Sequence, residues 1–172
     1  MYKIGNYEFE NFKYRPGHRA NYGILTKPGN EWGMKYSPTY SYDREYEVLK
    51  NFSHPQIPKR YESGTGRGEL YEDEKLVLKE YYIVLQNFEG EDLVEHYKQN
   101  GIPDANEMEN VIKYITSTAE PLQYLHSKGY VHADIKPGHL ILNPDSGVIG
   151  LIDLELAIKE GELIKGLTVE YA

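Results

Sequence analysis

The stretch His132-Ala133-Asp134-Ile135-Lys136-Pro137-Gly138-His139 sets a carboxylate and an ammonium on either side of one residue. On an extended backbone alternate side chains share a face, so Asp134 and Lys136 point the same way. A pair placed like this orients a hydroxyl nucleophile and balances charge on a transferring phosphoryl group. Downstream stands Ile152-Asp153-Leu154-Glu155, with Asp153 ending an apolar strand and expected beside Asp134. Two carboxylates converging next to a lysine suit a divalent metal and a phosphate.

Working outward, the stretch lies between a long helical pattern and a small hairpin. Residues 106–128 carry Met108, Val111, Ile112, Ile115, Ala119, Leu122 and Leu125 at helical spacing. Pro121 predicts a kink or local break, and Gly129 closes the helix. Leu140-Ile141-Leu142 and residues 148–152 read as two short strands around the turn Asn143-Pro144-Asp145-Ser146-Gly147. A shorter helix covers 92–99 and stops at Asn100-Gly101-Ile102-Pro103. Residues 87–172 therefore read as a mainly helical domain.

Residues 1–86 are mostly strand-like, with runs at 7–14, 22–26, 31–36, 59–63 and 81–85. One helix interrupts them, capped by Ser41 or Asp43, with Tyr46, Leu49 and Phe52 on one face. Residues 64–79, charged and glycine-containing, predict a mobile hairpin.

The 172 residues include 40% hydrophobic and 27% charged side chains, as in an ordinary globular protein. A net charge of −8 disfavours binding to a nucleic-acid polymer. No apolar run approaches the ~20 residues of a membrane helix. The N-terminus lacks the apolar core of a secretory signal. With no cysteine, disulfides and thiolate metal sites are excluded, and a cytoplasmic location is expected. The 17 tyrosines against 4 phenylalanines read as composition bias.

Together these segments resemble the eukaryotic-type protein kinase family in its divergent, bacterial-like Ser/Thr form. Its catalytic loop H-R-D-x-K-P-x-N is matched by His132 to His139, and its D-F-G motif by Asp153-Leu154-Glu155. Trp32-Gly33-Met34-Lys35 is similar to the V-A-I-K strand, and Arg44-Glu45-Tyr46-Glu47 to the control helix. His54-Pro55-Gln56-Ile57 is similar to the linker that follows. Residues 84–90 resemble the last small-lobe strand and hinge. The resemblance implies an α+β fold: a five-stranded antiparallel small lobe over 1–86 and a truncated, mainly helical large lobe over 87–172. It makes Asp134 and Lys136 catalytic and gives His132 only a structural role. Lys35, held by Glu45, contacts phosphates, and Leu85 stands at the back of the adenine pocket. Backbone groups at Gln86 and Phe88 meet adenine, and Asp153 holds Mg²⁺ or Mn²⁺.

Departures from the family pattern shape what is expected. The glycine-rich loop aligns with Arg15-Pro16-Gly17-His18-Arg19-Ala20, where Gly17 alone survives to let backbone approach phosphate. His139 stands where the second metal-ligand asparagine belongs, which favours Mn²⁺ or another transition metal over Mg²⁺. Glu155 replaces the D-F-G glycine, and Ala133 replaces the loop arginine, so control by activation-segment phosphorylation is not expected. Residues 166–172 resemble the G-T-x-x-Y-x-A segment and then stop. A lobe shortened there is expected to leave apolar surface beneath the long helix, covered by a second copy or another partner unless the shortened unit is self-contained. The expected activity is ATP-dependent phosphoryl transfer to Ser or Thr of a protein substrate. The alternative is a pseudokinase, a nucleotide-binding module acting through a regulatory partner.

Overall fold

The computed structural model describes residues 2–13, 21–27, 32–70, 78–101 and 103–162. The chain forms two compact units, one of residues 1–50 and 59–87, the other of 51–58 and 88–172.

The first unit is a closed antiparallel barrel of six strands: β1 (Tyr2–Ile4), β2 (Tyr7–Lys13), β3 (Asn21–Lys27), β4 (Trp32–Ser37), β5 (Arg60–Leu70) and β6 (Leu78–Gln86). Around the barrel the order is β1-β2-β3-β4-β6-β5. Five strands were expected. The sixth, β1, pairs Tyr2 with Phe9 on one side and with Leu70 on the other, so it seals the seam. Three residues are too few for a period to show, and only the two neighbours identify them as a strand. The segment 64–79, expected as a mobile hairpin, is paired antiparallel, Arg67 with Lys79 and Gly68 with Leu78, in strands that run as far as Leu70 and again from Leu78; residues 71–77 lie outside the described residues. Side chains alternate across each strand. Ile4, Leu25, Met34, Tyr36 and Val84 fill the barrel, with Tyr7, Trp32 and Tyr82 packed against them. Gly33 and Lys35, one residue out of phase, fall on the opposite face of β4.

Helix α1 (Asp43–Leu49) turns Glu45 and Leu49 inward, one helical turn apart. Tyr42 holds the N-cap position, and the Ser41 hydroxyl takes the Asp43 N–H. The helix ends at Leu49, so Phe52 does not share its face. Phe52 belongs to the second unit, where it packs edge-on against Tyr124 and Tyr130.

The second unit is built on α3 (Met108–Ser127), preceded by α2 (Leu93–Asn100). Asp92 caps α2 by accepting the N–H groups of Val94 and Glu95, both at 3.0 Å. Asp104 and Glu107 form a capping box just before α3. Gly129 follows α3 with φ 72° and donates to the His126 carbonyl, as its position predicts. The hairpin of β9 (Leu140–Leu142) and β10 (Ile149–Leu151) forms as expected. It gains a third strand, β7 (Glu91–Asp92), on the outer side of β9. A separate ribbon pairs β8 (Tyr130–Val131) with β11 (Ile158–Lys159).

Helix α3 runs through Pro121 without a break. Proline has no N–H, so the carbonyl one turn earlier, that of Ser117, loses its helical donor. The Gln56 side-chain amide supplies one, at 2.7 Å from Ser117 O, and also reaches Ile149 O at 2.8 Å. The Ser117 hydroxyl accepts the Ile149 N–H at 2.8 Å, and the Gln56 carbonyl accepts the Leu151 N–H at 2.7 Å. Segment 51–58, α3 and β10 are thereby clasped at one point. Beyond the clasp Leu125 is fully buried. Before it, Met108, Ile112 and Ile115 are more than half exposed, although their spacing predicts a core face.

Candidate active site

In the first unit, the face of β4 opposite the barrel interior presents Lys35. Its Nζ lies 2.6 Å from Oε2 of Glu45. Glu45 is fully buried and Lys35 nearly so, and the Tyr42 ring lies 5.5 Å from the ammonium. A charge pair this deep is bound to its geometry. Removing either partner strands the other charge in a low dielectric, which costs about 3–5 kcal/mol. Leu85 is buried and stands opposite Gly33 across β4 and β6. Gln86 lies one residue further along β6, and its N–H is taken by the Lys59 carbonyl at 2.7 Å, so that donor is not available to a ligand. On the same face Tyr22 reaches from β3 over Gly33 and donates to Oδ1 of Asn87 at 2.9 Å. A side chain at position 33 would collide with the tyrosine hydroxyl and displace it.

In the second unit, the loop between β8 and β9 gathers the other charged groups. Lys136 Nζ is 3.0 Å from Asp134 Oδ2, as their shared face predicts. His139 ends a short 3₁₀ turn, Pro137–His139. Its Nδ1 donates to the Asp134 carbonyl at 2.9 Å, and its Nε2 lies 3.1 Å from Asp153 Oδ2. The loop therefore joins Asp134, Lys136, His139 and Asp153.

The backbone there is strained. Among the described residues, Ala133 (φ 65°) and Asp153 (φ 66°) are the two non-glycine residues with positive φ, a conformation costing roughly 1–3 kcal/mol each. One ring stabilises both. His132 donates from Nε2 to the carbonyl of Ile152, which precedes Asp153, and accepts at Nδ1 the N–H of Asp134, which follows Ala133. A ring that donates at one nitrogen and accepts at the other is neutral. Burial agrees, pushing its pKa down to about 4. The Ile152 N–H to His139 carbonyl bond, 3.0 Å, is a second tie between the two segments. Leu154, fully buried, anchors the far side of Asp153.

The donor set fits a cation. With Nδ1 committed to a carbonyl, Nε2 of His139 is the ring nitrogen left to face the Asp153 carboxylate. Two lone-pair-bearing atoms at 3.1 Å call for a positive charge between them: a proton on Nε2 or a metal ion. One imidazole and one carboxylate suit Mn²⁺ or a similar first-row ion better than Mg²⁺.

Of the remaining expected residues, Gly17 lies outside the described residues. Phe88 belongs to the second unit, where its ring packs so tightly on Gly150 that a side chain there would strike it. Sequence reasoning missed Tyr22, Asn87, Gln56 and Ser117. A lone Gly33 beside a strand tyrosine was the available signal for the first two, and Pro121 for the last two.

A model of the protein kinase domain matches residues 27–167. The chain is similar to a probable serine/threonine-protein kinase, the MRK1 homolog of Encephalitozoon cuniculi. They are 27% identical over 152 residues, 84% of this chain and 44% of the relative. The probable serine/threonine-protein kinase YbdM of Bacillus subtilis is 31% identical over 116 residues, 67% of this chain and 40% of the relative. The serine/threonine-protein kinase cds1 of Schizosaccharomyces pombe is 29% identical over 107 residues, 62% and 20% of the two chains. The chain thus spans less than half the length of these relatives. With an α+β fold, the Lys35–Glu45 and Asp134–Lys136 pairs in place and the family match covering most of its length, the chain belongs to the protein kinase family.

Proposed function

We propose that the chain catalyses phosphoryl transfer from ATP to a Ser or Thr hydroxyl of a protein. The observation that carries this reading is the loop cluster in which Asp134 meets Lys136 at 3.0 Å and His139 joins Asp134 to Asp153. Asp134 positions the substrate hydroxyl and takes its proton as the oxygen–phosphorus bond forms and the γ-phosphorus parts from the β-phosphate oxygen. Lys136 balances charge on the moving phosphoryl group. Lys35, fixed by Glu45, holds the non-transferring phosphates. Asp153 and His139 would hold a divalent ion, which when bound neutralises phosphate charge.

The test is melting temperature with ATP and either Mg²⁺ or Mn²⁺, followed by transfer of radiolabelled γ-phosphate to the chain itself or a generic protein. Stabilisation and transfer, with transfer lost in Asp134→Ala, is the expected result. Lys35→Met is expected to remove the stabilisation.

A second reading, a pseudokinase that binds nucleotide and acts through a partner, is favoured by one contact. His139, where the family has asparagine, sits against Asp153. A proton between them would hold Asp153 without metal. Stabilisation by ATP with no transfer in either metal would establish this reading in place of the first.

A further inference from the structure

One mouth of the barrel holds side chains to which the phosphotransferase reading gives no role. Tyr7 opens β2, Arg60 opens β5, and Trp32 opens β4 opposite Gln86, the last residue of β6. In an antiparallel barrel these strand ends share one rim. There β5 is irregular: Arg60 pairs with Leu85 and Glu62 with Val84, so Tyr61 is an extra residue. Such a bulge re-aims a side chain. Arg60 turns toward α1, its guanidinium 4.5 Å from the Tyr46 ring. Tyr61 turns to Trp32, at 5.2 Å between rings, and lies near enough to Tyr7 to bear on its phenol. Glu62 joins the same group. The Tyr82 hydroxyl donates to Glu62 Oε1 at 2.9 Å, and the Tyr7 hydroxyl donates to the same carboxylate. The Tyr7 and Tyr82 rings meet edge-on at 5.8 Å.

These contacts leave a charge unanswered. Two phenols satisfy Glu62 as an acceptor but supply no positive charge. Both stay protonated, because burial and then the bond to Glu62 raise them, Tyr82 up to about 12. Among the described residues no lysine or arginine forms an ion pair with Glu62, and Arg60, two residues away, is held on α1. Glu62, Tyr7, Trp32 and Tyr82 are only partly buried and Tyr61 is 51% exposed, so the group is open to solvent.

We propose that Glu62 and the aromatic side chains gathered with it at the barrel mouth bind an organic ammonium ion. The negative faces of aromatic rings attract a cation, most strongly where water is partly excluded. The carboxylate supplies the counter-charge. A hard metal ion needs several oxygen ligands, and here one carboxylate stands among rings. Barrel mouths are also common places for small ligands. Lys35 and Gly33 lie on the opposite face of β4 from Trp32, so this site is separate from the phosphate-binding lysine and does not depend on the phosphotransferase reading.

Trp32 is the one tryptophan of the chain, so its fluorescence reports on the site directly. The full chain is titrated with choline, with the neutral alcohol in which carbon replaces the choline nitrogen, and with a short peptide carrying trimethyl-lysine. Choline is expected to give a saturable change in emission, and the neutral alcohol to bind about tenfold more weakly. Glu62→Gln still accepts from the phenols but lacks the charge, and is expected to weaken choline about tenfold. Tyr61→Leu removes an exposed ring and is expected to weaken choline about threefold; it carries the test if Glu62→Gln does not fold. A peptide that binds tenfold more tightly than choline identifies the ammonium as a protein side chain, and one that binds no more tightly identifies a free small molecule. Either result supports the site. No saturable change with choline or the peptide overturns the proposal. So does equal binding of the neutral alcohol, or unchanged choline affinity in either folded variant.

Discussion

The two units hold their charged groups by opposite means. The barrel keeps Lys35 in place with a buried counter-charge on regular secondary structure, where β4 and α1 are unstrained and the ion pair itself is the fastener. The helical unit keeps Asp134 and Asp153 in place on strained, irregular backbone, and the fastener is neutral: the His132 ring, bonded to a carbonyl and an N–H. A charged fastener is all-or-none, because losing one partner leaves the other charge buried. A neutral fastener tolerates solvent and salt but depends on the ring staying uncharged.

Several experiments break or sharpen this contrast. Asp134→Asn keeps the shape of the loop cluster and removes its proton acceptor. Transfer is expected to fall about a thousandfold, the scale of a positioned general base, with circular dichroism unchanged. Glu45→Ala breaks the charged fastener. Denaturant unfolding is expected to show a loss of about 3–5 kcal/mol from the stranded Lys35; a loss below ~1 kcal/mol would mean that solvent reaches the lysine.

Acid tests the neutral fastener. In the unfolded chain a histidine titrates near 6.5, whereas native His132 does so near 4, so between these values the unfolded chain binds the extra proton. The contribution of His132 is fully present above about pH 6.5. It is lost as pH falls toward 4, by about 3 kcal/mol in all. Unfolding curves across this window, compared with His132→Gln, isolate it: the variant should lose that part of the slope. The smallest effect is expected at the exposed start of α3. Ile115→Gln should change unfolding free energy by no more than ~0.5 kcal/mol, whereas Leu125→Ala, on the same helix past the clasp, should cost ~2–5 kcal/mol.

What the sequence disclosed follows the same division. Asp134, Lys136, His139 and Asp153 were legible because the loop is local: the residues that touch lie within a few positions, or across one short hairpin. The Lys35–Glu45 pair was legible through resemblance, since nothing local links a strand lysine to a glutamate ten residues on. Contacts between distant segments were not legible. Tyr22 and Asn87 are 65 residues apart, and Gln56 bonds to partners 61 and 93 residues away. Helical spacing predicted a buried Ile112 and Ile115 because period identifies a face and not what covers it. The strand β1 escaped notice because two flanking strands, one of them more than sixty residues later, define it.

The clasp at Pro121 inverts an engineering rule. Replacing a helix-interior proline with alanine ordinarily restores a backbone hydrogen bond and strengthens the helix. Here the restored N–H would compete with Gln56 for the Ser117 oxygen, so a tighter helix would come with a looser grip on segment 51–58 and β10. The imino acid is in this sense an adhesive: by withholding one donor it makes the helix backbone receptive to its neighbours.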